Sequence, residues 1–321
     1  MKILITGGAG FIGSNLTRYY LENTDHEITV VDRDEKNAGR LKDLCKDLRR
    51  FELILDDYHD VDHKVICNEL DAVVHLASVP RVAFSVEHPE ETTYENIFKT
   101  VSLLHRLTDV LDVRFVFASS SSVYGGATLS AETEQLNPKS PYALQKKCGE
   151  EFCSLFSSLY GLDTVCLRFF NVFGEHQYAD GSHPPVIAKW CDQLKKGEPL
   201  LLEGDGTQSR DFTHVDNVVH GINLAVTNER GLYRSGKKFS GDIYNIANEE
   251  RTSLNQLLRL LSDRFDNIEL DRQDSRVGDV QHSQANIQKA TEELNYKPVC
   301  RLGEGLEKTL EWWGIKAGVT T

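Results

Sequence analysis

"KILITGGAGFIGSN" (Lys2–Asn15) is the stretch on which the fold turns. Its opening, "KILITG" (2–7), is a short apolar run, as expected of a strand covered on both faces. Gly7, Gly10 and Gly13 follow with the spacing G-x-x-G-x-x-G, and Phe11 and Ile12 begin a helical pattern between them. In such a strand–turn–helix unit the first glycine makes the tight turn. The second lets the backbone approach a diphosphate, and the third lets helix and strand pack closely. The helix N-terminus then faces the phosphates. Glycines are common in turns, so the context decides. The next β-rich run, "EITVVD" (27–32), ends in Asp32, 19 residues beyond Gly13, where a carboxylate can grip a ribose diol. Dinucleotide binding follows. Asp32 favours NAD over NADP, because a carboxylate repels a 2′-phosphate. Arg33 is either an acceptor for such a phosphate or a solvated loop charge.

The same rhythm continues outward. Strand-like runs at 51–55, 72–77, 114–120 and 163–169 alternate with helix-like segments at 11–22, 35–49, 91–109 and 142–160. Alternating strands and helices imply βαβ units, hence an α/β protein with a Rossmann-type, doubly wound parallel sheet. From about residue 170 the pattern loosens into longer loops with "DGSHPP" and "GDGTQ" turns. This predicts a smaller α/β substrate-binding C-terminal domain with amphipathic helices at 253–265 and 303–313. The expected division is 1–170 for the NAD-binding domain, with segments near 212–228 and 243–248 returning to it. Residues 171–321 then form mainly the substrate domain, interleaved with the first. Asp57 and Tyr58, after the third strand, are candidates for contacting adenine, although an Asp there also caps turns.

Composition narrows the function. The 321 residues carry a formal net charge of −13 without a basic stripe, which argues against nucleic acid. No window approaches ~18 uninterrupted apolar residues, so no membrane span is expected. The N-terminus reads as a first strand rather than a signal peptide. Seven cysteines are scattered without a C-x-x-C pair. Free thiols, a cytoplasmic location and no metal site are the corresponding expectations.

"FVFASSSSVYG" (Phe115–Gly125) empties a core strand into four serines without a carboxylate, and "SPYALQKK" puts Tyr142 and Lys146 on one helical face. A lysine ammonium and a nicotinamide cation beside a tyrosine favour its phenolate, making Tyr142 a base toward a substrate hydroxyl. A serine at the strand end can hold the same oxygen. Tyr-x-x-x-Lys also occurs by chance in helices, usually with the lysine solvated.

At this point the chain resembles the extended short-chain dehydrogenases/reductases that act on nucleotide sugars. "TGGAGFIG", "VVHLAS", "SSSSVYG", "SPYALQK", "RFFNVFG", "GDGTQSRDFTHVDNV", "YNIA" and "RVGDVQHSQANIQKA" carry the resemblance over essentially the whole length. It implies Ser120, Tyr142 and Lys146 as catalytic residues, with Lys146 also touching NAD. It adds Ala77 to the cofactor contacts. Ser85, Asn171, Arg210, Arg276, Asp279 and Ser283, with Ser120, become the substrate set. In similar enzymes that dehydrate or decarboxylate the sugar, the positions before "VYG" carry Glu or Asp-Glu. Here they are Ser121 and Ser122, so the implied chemistry is C4 oxidation and return of the hydride, an epimerisation.

The pattern of the C-terminal motifs is most similar to UDP-N-acetylglucosamine 4-epimerases. Ser283 stands where epimerases restricted to glucose and galactose carry a bulky Tyr, leaving room for a 2-acetamido group. The resemblance also implies a homodimer through helices 91–109 and 142–160. Some positions depart from the family pattern. Phe84 precedes Ser85, an arginine sits at Arg81, Lys99 replaces a glycine, and Asn286 stands for Asp. Three other readings stay open: a UDP-glucuronate 4-epimerase, a nucleotide-sugar 4,6-dehydratase or decarboxylase, and a non-catalytic dinucleotide sensor.

Overall fold

The computed structural model describes residues 1–45, 49–62, 65, 69–110, 112–180, 184–228, 238–265, 267–274 and 281–316. Strands β1 (Lys2–Thr6), β2 (Glu27–Asp32), β3 (Phe51–Leu55), β4 (Ala72–His75), β5 (Arg114–Ser120) and β6 (Asp163–Phe169) appear in chain order. They are followed by β7 (Val172–Phe173), β8 (Leu200–Glu203), β9 (Ser209–Asp211), β10 (Thr213–His214) and β11 (Ser240–Ile246). β11, β6, β5, β4, β1, β2 and β3 form one seven-stranded sheet in that order, every pair parallel. Strand order reverses between β1 and β4, so the crevice for a ligand opens at the carboxyl ends there.

Alternation along the strands divides the core. Ile3, Ile5, Val74, Val116 and Val165 face one layer, whereas Leu4, Val73, Phe115, Phe117 and Cys166 face the other. The first layer is covered by the helices Phe11–Asn23 and Val215–Thr227, the second by Lys99–Leu107 and Pro141–Tyr160. Residues 215–227 and β11 thus rejoin the sheet from beyond residue 170. A third core surrounds Trp190, Leu202, Leu257, Leu306 and Leu310, from the helices Val186–Lys196, Leu254–Ser262 and Leu302–Trp313. It includes Leu200 and Leu202 of β8 and Phe212, which follows β9. None of the described helices is long and apolar enough to cross a membrane.

The expected helix 91–109 is three pieces: Pro89–Thr93, a π turn at Tyr94–Phe98, and Lys99–Leu107. The wide turn carries the buried Asn96, whose amide accepts from the Val79 N–H at 2.7 Å and donates to the Val79 carbonyl and to Gln145. One side chain thereby ties the loop after β4 to both helices, a use typical of π turns near functional sites.

Candidate active site

The glycine loop is built by close approach. Gly7 has φ +67°, and a Cβ on it would lie 2.7 Å from the Ala77 backbone. A Cβ on Gly13 would lie 2.4 Å from Gly8 Cα and 2.6 Å from the Gly7 carbonyl oxygen. Both positions therefore require glycine. The helix that starts at Phe11 has Gly10 as N-cap, with no side-chain cap and no acidic residue in its first turn. Its amide groups and positive dipole end are left for an anion. Phe11 and Ile12, in that turn, pack partly against the core and fix the helix angle.

Asp32 ends β2 beside this loop. Its carboxylate accepts from the Ala9 and Asp34 amides at 3.0 Å each, and burial raises its pKa. Asp57 lies beyond β3, and its carboxylate is bound to Lys99 at 2.5 Å and Arg33 at 3.1 Å. Arg33 also meets Glu95 at 2.9 Å, so this half-exposed arginine is an ion-pair partner of both carboxylates. The Tyr58 ring turns inward, 7% exposed and edge-on to His75 with centroids 5.0 Å apart. Its side chain is not offered to the crevice.

At the other end of the crevice β5 delivers Ser120, whose hydroxyl caps the 3-10 turn Ser121–Tyr124 by accepting from the Ser122 amide. Tyr142 is the second residue of a helix capped by Ser140 and opened by Pro141. Lys146, one turn on, is 4% exposed and donates to the Ala118 carbonyl at 2.8 Å, with its ammonium 5.8 Å from the Tyr142 ring centroid. The three candidate catalytic side chains are thus gathered between β5 and one helix. Burial lowers the Lys146 pKa to about 8, partly offset by Glu150 and Cys153. Burial pushes Tyr142 up to about 12, and the Ser120 hydroxyl pulls the other way. Desolvation of the buried phenol is the larger of these two effects.

Ser85 is fully buried, and its hydroxyl donates to Val82 and accepts from the Tyr142 amide at 3.1 Å. Rather than opening toward the cleft, it anchors the start of the catalytic helix. Phe84 stacks on His88, ring centroids 4.4 Å apart. Asn171 has φ +28° and donates to the Asp211 carbonyl at 3.1 Å. Arg210 and Ser283 come together through β9: Arg210 donates to the Ser209 carbonyl, and the Ser283 amide bonds that same carbonyl. Arg276 and Asp279 lie outside the described residues.

Sequence reading missed two buried groups behind these residues. His75 is held between the Thr6 and Thr100 hydroxyls at 2.7 and 3.0 Å. Asp211 accepts from the Asn248 and Ala285 amides, joining distant loops under Arg210. "VVHLA" and "SRDF" contain them, but nothing local marks a buried polar hub. Among the described residues, His214, Asp216 and Cys300 bring possible metal-ligand atoms within 4.8 Å of one another. The Lys308 ammonium already lies 3.0 Å from Asp216 and 3.9 Å from Cys300, so a cation occupies that position.

A sequence model of the NAD dependent epimerase/dehydratase family matches residues 3–247. The chain belongs to that family. Among relatives of this epimerase-family chain is a putative UDP-glucose 4-epimerase of Methanocaldococcus jannaschii, 32% identical with 97% of each chain covered. Two solved structures are similar throughout. One is UDP-N-acetylglucosamine 4-epimerase of Methanobrevibacter ruminantium in complex with UDP-N-acetylmuramic acid: TM-score 0.86, 30% identity, 97% of each chain covered. The other is UDP-glucuronic acid 4-epimerase of Bacillus cereus with UDP-glucuronic acid and NAD: TM-score 0.87, 29% identity, 98% of this chain and 99% of that one covered. NAD is the cofactor of this family member, and the chain's residues fit it. The cradle at Gly7 and Gly13 admits no Cβ, the helix N-terminus is uncapped, and the Asp32 carboxylate is held beside the glycine loop by the Ala9 amide.

Proposed function

We propose that the chain is an NAD-dependent 4-epimerase of UDP-hexoses, with UDP-N-acetylglucosamine and UDP-N-acetylgalactosamine as its substrate pair and UDP-glucose and UDP-galactose as further substrates. The observation that carries this reading is Ser120, Tyr142 and Lys146 meeting at the carboxyl end of β5, with serines rather than a carboxylate at 121 and 122. Tyr142 takes the O4 proton of the sugar, Ser120 holds that oxygen, and the Lys146 ammonium favours the phenolate. NAD, held by the glycine loop and Asp32, would supply reversible hydride acceptance at C4. Arg210 and Asn171 keep hold of the diphosphate while the 4-keto sugar turns over, and Tyr142 returns the proton on reduction of the other face. Elimination across C5–C6 needs a further acid, which Ser121 and Ser122 do not supply.

The small Ser283 beside Arg210 supports a 2-acetamido sugar. A UDP-glucuronate reading draws on the Bacillus cereus neighbour, and it requires a cation for the C6 carboxylate. The candidate, Arg81, is exposed and donates to the Asp180 carbonyl, which favours a neutral C6. We also propose a homodimer through the helices spanning 91–109 and 142–160. Tyr94, Phe98, Leu144, Leu155 and Leu159 expose large apolar surface on them, which a second copy would cover.

The test incubates the purified protein, without added NAD, with UDP-N-acetylglucosamine and separately with UDP-glucose and UDP-glucuronate, following anomeric protons by NMR. A mixture of gluco and galacto N-acetyl isomers is expected. Turnover of UDP-glucuronate alone, or a 4-keto-6-deoxy product, would overturn the reading.

A further inference from the structure

A charged network lies directly beneath the catalytic trio, and the reaction outlined above does not use it. Glu150 is one helical turn beyond Lys146 and 3% exposed. Both its oxygens bind Arg168 on β6, at 2.8 and 2.7 Å. One of them also accepts from the Ser119 hydroxyl at 2.5 Å. Arg168, 1% exposed, passes the network on to the Tyr124 hydroxyl at 2.8 Å, and Tyr124 donates to Asn245 on β11 at 2.7 Å. The carboxyl ends of β5, β6 and β11 are therefore bound to the catalytic helix through one buried ion pair. Close packing also brings that helix to the sheet, since a Cβ on Gly149 would lie 2.4 Å from the Phe117 ring. A buried ion pair often adds little to stability compared with apolar packing. Its placement next to Ser120 and Lys146 is therefore the feature to explain.

We propose that Glu150 is a positioning residue for this reaction: paired with Arg168, it holds the Ser119–Ser120 strand end against the Tyr142–Lys146 helix and keeps the Lys146 ammonium charged. The proposal rests on the epimerase reading for the identity of the reacting groups. Geometry sets the first role, because Ser119 is covalently next to Ser120 and its hydroxyl ends on Glu150. The second follows from charge. The titratable groups that meet Lys146 are Tyr142, Glu150 and Cys153 on its own helix and neutral His75 on β4. Within this set Glu150 is the anion. Burial draws Lys146 toward its neutral form, and the Glu150 charge opposes this.

The experiment compares the NAD-loaded wild type with Glu150→Gln and Ser119→Ala, using UDP-N-acetylglucosamine. In Glu150→Gln the alkaline limb of kcat against pH is expected to move to lower pH, because Lys146 loses its proton more readily. The ionisation of Tyr142, read as tyrosinate absorbance against a Tyr142→Phe control, is expected to move to higher pH, because a Lys146 that has lost its proton no longer favours the phenolate. Ser119→Ala is expected to lower kcat about tenfold with KM near wild type and both pH limbs in place. A folded Glu150→Gln with wild-type limbs and tyrosinate midpoint would overturn the proposal. So would Ser119→Ala with wild-type kcat, which decides the matter if Glu150→Gln does not fold. Failure of the epimerase reading looks different: the wild type itself converts no UDP-sugar, while the tyrosinate comparison still reports on Glu150.

Discussion

Lys99 Nζ lies 2.5 Å from Asp57 Oδ2, joining a helix to the loop after β3 across 42 residues of sequence. The same ammonium meets Glu95 at 2.8 Å, and Arg33 spans Asp57 and Glu95 from the solvent side. The lysine that departs from the family glycine thus neutralises two half-buried carboxylates beyond β3. Lys99→Gly leaves both with the exposed Arg33 alone. A loss of about 3 kcal/mol in urea unfolding is expected. A change within error would mean that Arg33 suffices.

On the proposed mechanism, removing the Tyr142 hydroxyl removes the base and leaves the cofactor cradle untouched. Tyr142→Phe is expected to cut kcat by about a hundredfold or more, while bound NAD, measured from its absorbance after purification, stays at the wild-type level. If NAD were lost together with activity, the variant would be reporting on binding rather than proton transfer.

Gly13→Ala tests the glycine loop. The added methyl meets backbone atoms of Gly8 and Gly7, which cannot swing aside as a side chain would. The loop must move, at a cost of about 1–3 kcal/mol, and NAD is expected to be absent from the purified variant. Gly39→Ala is the control, since a Cβ there meets nothing within 4 Å.

Two buried groups set opposing pH dependences of stability. Burial, then the Lys146 charge, pushes His75 down to about 3, while the unfolded chain protonates it near 6.5. Its contribution is present above 6.5 and is lost as pH falls toward 3. Burial pushes Asp211 up to about 7, against hydrogen bonds from backbone amides that pull it down. Its contribution is full below 3.8 and is lost as pH rises through 7. Between about 4 and 6.5 each accounts for one proton, with opposite sign, so the two offset. Asp211→Asn is expected to expose the His75 slope, roughly a tenfold rise in the unfolding constant for each pH unit of acidification. Parallel stability curves for wild type and variant would contradict the offset.

Ser283→Tyr tests the sugar pocket. A phenol ring beside Arg210 fills the space assigned to the acetamido group. Activity on UDP-N-acetylglucosamine is expected to fall about tenfold or more relative to UDP-glucose, measured as the ratio of kcat/KM values. An unchanged ratio would place the acetamido group elsewhere.

Most of the framework was legible in the chain because it depends on short-range pattern. Apolar runs predicted six of the seven sheet strands, and the glycine spacing with Asp32 located the cofactor crevice. A four-residue interval put Tyr142 and Lys146 on one helical face. Each of these readings needs only neighbours within a turn or one βαβ unit. The π turn at Tyr94–Phe98 was not visible, because Asn96 is drawn inward by Val79 and Gln145, partners distant in sequence. Ser85 looked like a substrate contact, yet in the fold its hydroxyl meets the Tyr142 amide 57 residues away.

The sequence by itself therefore determined the fold class and the cofactor, since periodicity and spacing encode them locally, and the Tyr142–Lys146 spacing together with the family resemblance marked the candidate reacting side chains. Only the tertiary structure decided how those side chains are held. Sheet order brings Glu150 to Ser119 and Arg168, Lys99 to Asp57, and Asp211 to Asn248 and Ala285. A polar group buried in a core must find a partner, and which partner it finds is set by which strands lie side by side.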